Sequence, residues 1–476
     1  MPERTDQRTP QTAEHSRLGT EAIVPLLVRF SLPAIVGVLV NALYNIVDRV
    51  FVGQSVGSLG IAAISLTFPI ALLMLASSVI VGVGANALFA IRMGEGKRDE
   101  AEHIFGNAAL LLVALPLVLS LALALLTDEV LLASGASGET LPMARQYLRI
   151  SLIGSVFSSF GHGMTHFIRT DGHPRTAMLS QILGAVVNIA LDAVFVIGMG
   201  MGVAGAAWAT VLAQLSTCVY VLVYFLSPIS TVKLRRRYLR LDLRRIVLPF
   251  MFLGLPHFAM QMASSLVNTV LNRSLLEYGG DLAVSSIGIV MSANTVLLLP
   301  MMGLAQGSQP IFGYNFGARR FDRVLDAFRY ACVGATAYGL FGWAMSIAFA
   351  PQIVGLFTKD GGEVIEMAAH ALIVFNFMIP VIGFQMITST MLQSIGQPMK
   401  SLVMSLSRQV LVLIPLLFIL PRAFGLSGVY ASFPTSDFLS CLLAAALGWR
   451  EVRRLKRGET TFTLGMDSSA ARAPST

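Results

Sequence analysis

The chain has 476 residues, 55% of them hydrophobic and only 13% charged, with a net charge of +8 at pH 7. Soluble domains carry about 25% charged residues, so this composition lacks the polar surface for two or three soluble domains and needs lipid as its solvent. Nor does the basic excess point to nucleic acid, because Lys and Arg sit in short runs between long apolar stretches, the arrangement that orients membrane proteins.

In chain order, residues 1–23 form a polar tail without the apolar region of a cleavable signal peptide, so the first span must direct insertion. Apolar runs long enough to cross a bilayer, roughly 20 residues, follow at about 24–50, 60–91, 104–126, 141–168, 176–197 and 203–226. A basic segment, 227–245, carries Lys233, Arg235, Arg236, Arg237, Arg240, Arg244 and Arg245 and reads as a solvated linker. Six further runs lie at about 246–275, 283–314, 325–350, 364–393, 401–420 and 424–448, before a tail at 450–476. The expected fold is an all-α polytopic membrane protein of twelve helices in two six-helix bundles, 24–226 and 246–449. Pro33, Pro69, Pro256, Pro300, Pro310 and Pro380 fall inside spans, where tilts and kinks are expected. Nearly all loop Lys and Arg lie on the two tails and the even-numbered loops, whereas the odd-numbered loops hold Lys359 and Arg422. Both termini and the linker are therefore expected in the cytoplasm.

The second half repeats the first at an offset of 223 residues. Leu32-Pro33 meets Leu255-Pro256, Asn45 meets Asn268, and Gly57 meets Gly280. Gly84, Phe89, Gly94 and Asp99 meet Gly307, Phe312, Gly317 and Asp322. Gly202 and Gly205 meet Gly425 and Gly428, and Gly172-His173-Pro174 pairs with Gly396-Gln397-Pro398 one residue out of step. Six spans per repeat is an even number, so the halves share one orientation, as in some secondary transporters.

An ionisable residue inside a span costs about 2.5–3.5 kcal/mol on insertion scales, which makes each a functional candidate. Asp48 lies near the end of span one. Asp192 lies near the end of span five, with Asn188 one turn earlier on the same face, and Thr210 and Gln214 are spaced alike on span six. All reach a similar depth in the first half. The repeat puts Leu271 in place of Asp48, and Val412 and Leu416 in place of Asn188 and Asp192, so the acidic site belongs to one half. Two carboxyl groups in a dry cavity can take up a proton, or a Na⁺ with Asn and Thr oxygens completing its shell. His162 and His166, an i, i+4 pair on span four, read as cavity-lining or packed. Asp437 is the clear interior acid of the second half, and Arg408 is a candidate partner for it. Gly200-Met-Gly202-Val-Ala-Gly205 matches a dinucleotide spacing, but no strand precedes it. Cys218, Cys332 and Cys441 are too scattered for a disulfide framework or metal cluster. No phosphate loop or nucleophile motif appears, so neither catalysis nor a cofactor is expected.

These residues resemble the multidrug and toxin extrusion (MATE) family over about 24–450. The resemblance is carried by Pro33 with Tyr44-Asn45-Ile-Val-Asp48-Arg-Val-Phe-Val-Gly53, by Asn188-Ile-Ala-Leu-Asp192, and by Gly303-Leu-Ala-Gln306-Gly-Ser-Gln309-Pro310 continuing through Gly313-Tyr-Asn315-Phe-Gly317. It implies a V-shaped pair of bundles that exports cationic, lipophilic small molecules in exchange for H⁺ or Na⁺. By position it implies an ion-coupling site of Asp48, Asn188, Asp192 and Thr210, with Tyr44, Asn45 and Gln214 lining a cavity and Pro33 as a hinge. Another branch of the family places acids in spans seven and ten. Here those spans offer Gln261 and Asn376, which is similar to the DinF-like bacterial branch. The resemblance further implies a monomer in the bacterial cytoplasmic membrane, with lipid as its surroundings and no nucleic-acid partner. The alternative within the superfamily is a flippase or exporter of lipid-linked oligosaccharides or metabolites.

Overall fold

The structure, a computed structural model, describes residues 17–358 and 362–459; Lys359 and the outer parts of both tails lie outside the described residues. Among the described residues all regular structure is helical. The first half comprises α1 (Ile23–Gly57), α2 (Leu59–Gly94), α3 (Arg98–Leu125), the short α4 (Thr127–Ala133), α5 (Leu141–Thr170), α6 (Pro174–Asp192) and α7 (Gly202–Leu226). The second comprises α8 (Leu248–Gly317), α9 (Phe321–Ala348), α10 (Ala350–Gly355), α11 (Glu363–Phe375), α12 (Ile379–Ser394), α13 (Pro398–Leu406) and α14 (Ile414–Lys456).

Nine described helical stretches are long and apolar enough to cross a membrane. Two of them, Leu243–Gly317 with 75 residues and Pro398–Lys456 with 59, each provide two passes. With α5, whose 30 residues include Arg145, Arg149 and Arg169, the passes number twelve. The long helices break where a glycine reverses the backbone: Gly57 has φ 73°, Gly280 φ 65° and Gly425 φ 56°. These values lie in the left-handed region that glycine enters without steric penalty, and Gly57 and Gly280 are partners in the sequence repeat. Gly96, at φ 74°, also has a counterpart 223 residues on, and it is Arg319, at φ 55°. The repeat has kept a turn that glycine suits and filled it with arginine.

The chain divides into two compact units that do not follow chain order. Unit 1 includes Val36–Gly254; unit 2 includes Ile23–Ile35 and the chain from Leu255 onward. Within unit 1, a Cβ on Gly84 of α2 would come to 2.6 Å from the backbone nitrogen of Gly254, at the start of α8. Within unit 2, a Cβ on Gly307 would come to 2.6 Å from the Cα of Ser31, at the start of α1. Ser31 and Gly254 occupy equivalent places in the repeat, so the same close helix crossing is made twice. Small residues permit such backbone approach where apolar side chains give no preference over lipid.

The segment 227–245 keeps Arg235, Arg237, Arg240, Arg244 and Arg245 exposed, as expected of a solvated linker, but is anchored to unit 1 at a few points. Ser230, Thr231, Val232 and Tyr238 are buried. The cause is Asp171, a buried carboxylate that accepts from the Tyr224 hydroxyl at 2.6 Å, the Ser230 hydroxyl and the Thr231 backbone N–H, both at 3.1 Å. Asn107 holds the next stretch, accepting from the Asp242 backbone N–H at 3.0 Å. Exposed Asp99 accepts from the Tyr238 hydroxyl, and that bond, aided by the Arg237 charge, holds its carboxyl below the usual range.

Candidate functional site

In unit 1, helical periodicity aligns three sets of polar residues. Helix α6 carries Gln181, Asn188 and Asp192 on one face, α1 carries Asn41, Tyr44 and Asp48, and α7 carries Thr210, Gln214 and Thr217. Helix α5 adds Tyr147 and His162. Asp192 ends α6, and Ala193–Gly198 continues as a π turn, a widened helix that recurs at functional sites.

The Asp192 carboxyl faces that of Asp48. Asp192 is fully buried, and neither of its oxygens meets a hydrogen-bond donor among the described residues. Tyr147 lies beside both acids and beside Tyr44. The Asn188 side-chain amide donates to the Thr210 hydroxyl at 3.4 Å, a long bond, and its carbonyl oxygen, like that of Gln214, is buried without a donor. A cavity of about 30 Å³ follows, lined by Asn41, Tyr44, His162, Gln181, Asn188, Thr210 and Gln214 among others. A space of that size holds about one water. A buried carboxyl group without donors, as at Asp192, is costly, and a cation held there would offset that cost. The oxygens of Asn188 and Thr210 could contribute to its surroundings.

On the side away from this cavity the acids meet apolar packing. Val52, Val196, Val203 and Ala206 form a buried cluster with Phe51, Val56, Ile64, Met143 and Tyr147 around it. Val52 lies one turn beyond Asp48, and Val196 one turn beyond Asp192.

The structure thus groups Tyr44, Asp48, Asn188, Asp192, Thr210 and Gln214. Asn45 is exposed, and its amide donates back to the Asn41 carbonyl at 2.7 Å. Pro33 is buried in unit 2, in a stretch of α1 whose only non-helical backbone is at Gly57. Sequence reasoning passed over Tyr147, Asn41 and Gln181. Two of these had a signal, since Asn41 lies two turns before Asp48 and Gln181 two turns before Asn188. Tyr147 had none, sitting between Arg145 and Arg149 on the least apolar span.

Unit 2 places different residues at the equivalent depth. Leu271 is buried in an apolar cluster with Val267, Leu275, Ile287, Leu413 and Leu417. Its interior acid, Asp437, is paired: Arg408 reaches it at 2.6 Å, and Ser436 donates to the Arg408 carbonyl at 2.6 Å. Among the described residues no group of three or more His, Cys, Asp or Glu could hold a metal ion.

Known proteins resemble the chain over most of its length. The chain is similar to the multidrug export protein MepA of Staphylococcus aureus, at 28% identity over 421 residues in strain MSSA476, covering 88% of this chain and 92% of that one. MepA of Staphylococcus saprophyticus is 27% identical over 423 residues, with the same coverage. Among solved structures, MATE in complex with MaD3S superposes with a TM-score of 0.87 at 26% identity, covering 93% of this chain and 98% of that one. MATE in the bent conformation gives 0.87 at 26% identity, with 95% and 100% covered. The MatE family pattern matches residues 33–194 and 256–419, one stretch in each half. The chain belongs to the MatE family of multidrug efflux transporters, and is a multi-pass membrane protein rather than an enzyme.

Proposed function

We propose that this chain exports cationic, lipophilic small molecules by antiport against H⁺ or Na⁺, and that Asp48, Asn188, Asp192 and Thr210 of unit 1 are its coupling site. The observation that carries this reading is Asp192, whose two buried oxygens face Asp48 with no donor to satisfy them. The relatives are named multidrug export proteins, which supports the substrate class. The basic loops support a bacterial cytoplasmic membrane with both termini inside.

The mechanism follows from charge. With both acids ionised, the site attracts a cationic drug taken from the cytoplasm or the inner leaflet. Capture of the coupling ion cancels one of the two negative charges and weakens that attraction, so the drug leaves outward. Linkage is reciprocal, and bound drug must weaken ion capture by the same factor. An inward-moving cation gains about 2.3 kcal/mol per 100 mV of membrane potential, which supports roughly fifty-fold drug accumulation for each net charge moved.

The test is ethidium transport by purified protein in vesicles supplied with only a pH or only a sodium gradient. Wild type should move ethidium against its own gradient under at least one condition. Asp192→Asn, which keeps the volume but cannot change charge, should fold, insert and fail to accumulate drug. Normal accumulation by that variant would remove the acids from the mechanism.

A further inference from the structure

We propose that the ion leaving the acid pair toward the basic loops is a proton, and that His162 relays it. This rests on the reading of Asp48 and Asp192 as the coupling site and specifies how that site empties. Three observations meet at His162. The first is the cavity: Asn188 and Tyr44, neighbours of the acids, and His162 and Gln181 line the same small space. The apolar cluster of Val52, Val196, Val203 and Ala206 closes the other side of the acids. His162 is the one basic side chain among the described residues that line this space.

The second is the tautomer. The His162 Nδ1 lies 3.1 Å from the Ser158 carbonyl oxygen, which can only accept, so Nδ1 carries the hydrogen. Nε2 then presents a lone pair, 3.3 Å from the Asn41 side-chain amide. A basic nitrogen is thus held at the cavity wall by a backbone anchor, ready to take a proton from a water there. In that step an O–H bond of a protonated water breaks and the Nε2–H bond forms. The Nε2–H bond then breaks as that proton passes to the oxygen of a second water on the His166 side, and the ring returns to its neutral form with Nδ1–H still held by Ser158.

The third is what lies beyond. His166 is one turn further along α5, and its Nδ1 is 3.4 Å from an Arg169 nitrogen. The Gln181 amide, turned to its satisfied orientation, donates to the Gly37 carbonyl at 2.8 Å and accepts from Arg169 at 3.0 Å. The groups facing His162 are Asn41 and titratable Tyr44 on α1, His166 and Arg169 on its own helix, Gln181 on α6, and Gln214 and Thr217 on α7. None is a carboxylate. A proton can be taken up by an imidazole nitrogen, whereas Na⁺ needs oxygen ligands, which an imidazole or a guanidinium does not offer it.

The test reconstitutes the full chain in vesicles loaded with a pH-sensitive dye and drives it with an opposing ethidium gradient. His162→Gln fills the site but cannot carry a proton. It should lower drug-coupled proton flux by about 100-fold, the size of effect expected from losing a positioned proton carrier. Ethidium binding, and its weakening by acid, should stay at wild-type values, because those read the acid pair. In His162→Ala, imidazole added to the buffer should restore the flux, a rescue that a merely structural role does not predict. In wild type, turnover should slow in D₂O. Wild-type proton flux in His162→Gln, drug-coupled uptake of radioactive sodium without proton movement, or turnover unchanged in D₂O would each overturn the relay. Asp192→Asn keeps the two readings apart: flux retained there sinks the coupling site itself, whereas flux retained in His162→Gln sinks only the relay.

Discussion

The two units contain the same helices and opposite interiors. Where unit 1 sets a buried Asp192 against a half-buried Asp48, unit 2 has Leu271 within an apolar cluster and Leu416 at the matching place. Where unit 2 buries an acid, Asp437, it supplies Arg408 at 2.6 Å. The backbone was kept by a handful of positions, such as Gly57 with Gly280 and Gly84 with Gly307, none of which has a part in the chemistry. The facing acids are written on one copy and absent from the matching places of the other. Fold and site are separable even within a single chain.

The largest expected effect tests whether unit 1 works as one site. Asp48→Asn and Asp192→Asn should be strongly non-additive, each alone abolishing drug accumulation against its gradient, with the double variant no worse. Leu416→Ala, at the equivalent place in unit 2, should export at close to the wild-type level. Losses that multiply in the double variant would mean two independent sites.

The next contrast is between an unpaired acid and a paired one. Asp437→Leu strands the Arg408 charge in the interior and should cost about 3 kcal/mol of stability, read as a lowered melting midpoint in detergent. Adding Arg408→Leu should recover most of that loss. Asp192→Asn should show no such cost, because no cation is left behind. Equal destabilisation by the two variants would erase the distinction between a functional acid and a structural one.

The smallest effect concerns the turn the units share. Arg319→Gly should stabilise the protein by about 1 kcal/mol, since it places glycine in a left-handed conformation that arginine adopts with strain. Gly96→Ala should cost about the same. Thermal midpoints that fail to move in opposite directions would show that the turn tolerates any residue.

The sequence made much of this legible for identifiable reasons. Asp48, Asn188, Asp192 and Thr210 stand out because charge and amides are rare in spans, and helical spacing puts them on common faces. Gly57 and Gly280 were found through the repeat, which preserves whatever the backbone demands. Other features had no local trace. The docking of residues 227–245 depends on Asp171 meeting Thr231, a contact sixty residues apart between a turn and a segment whose arginines suggest solvent. Tyr147 reaches the acids from the span with the weakest apolar signal. The role of Asn41 depends on its being opposite His162, 121 residues away.

The exchange of helix beginnings between the units bears on how the protein is made. Ile23–Ile35 emerges first, yet the residues it packs against in unit 2, Gly303 and Gly307, emerge some 270 positions later. At 5–20 residues per second, that delay is roughly 15–50 s. Through that interval the first helix has only lipid and the insertion machinery to hold it, and its apolar sequence must suffice. Unit 1 likewise stays incomplete until Gly254 arrives to meet Gly84. Neither unit can finish packing when its own six spans have been synthesised, so maturation of the first half waits on translation of the second.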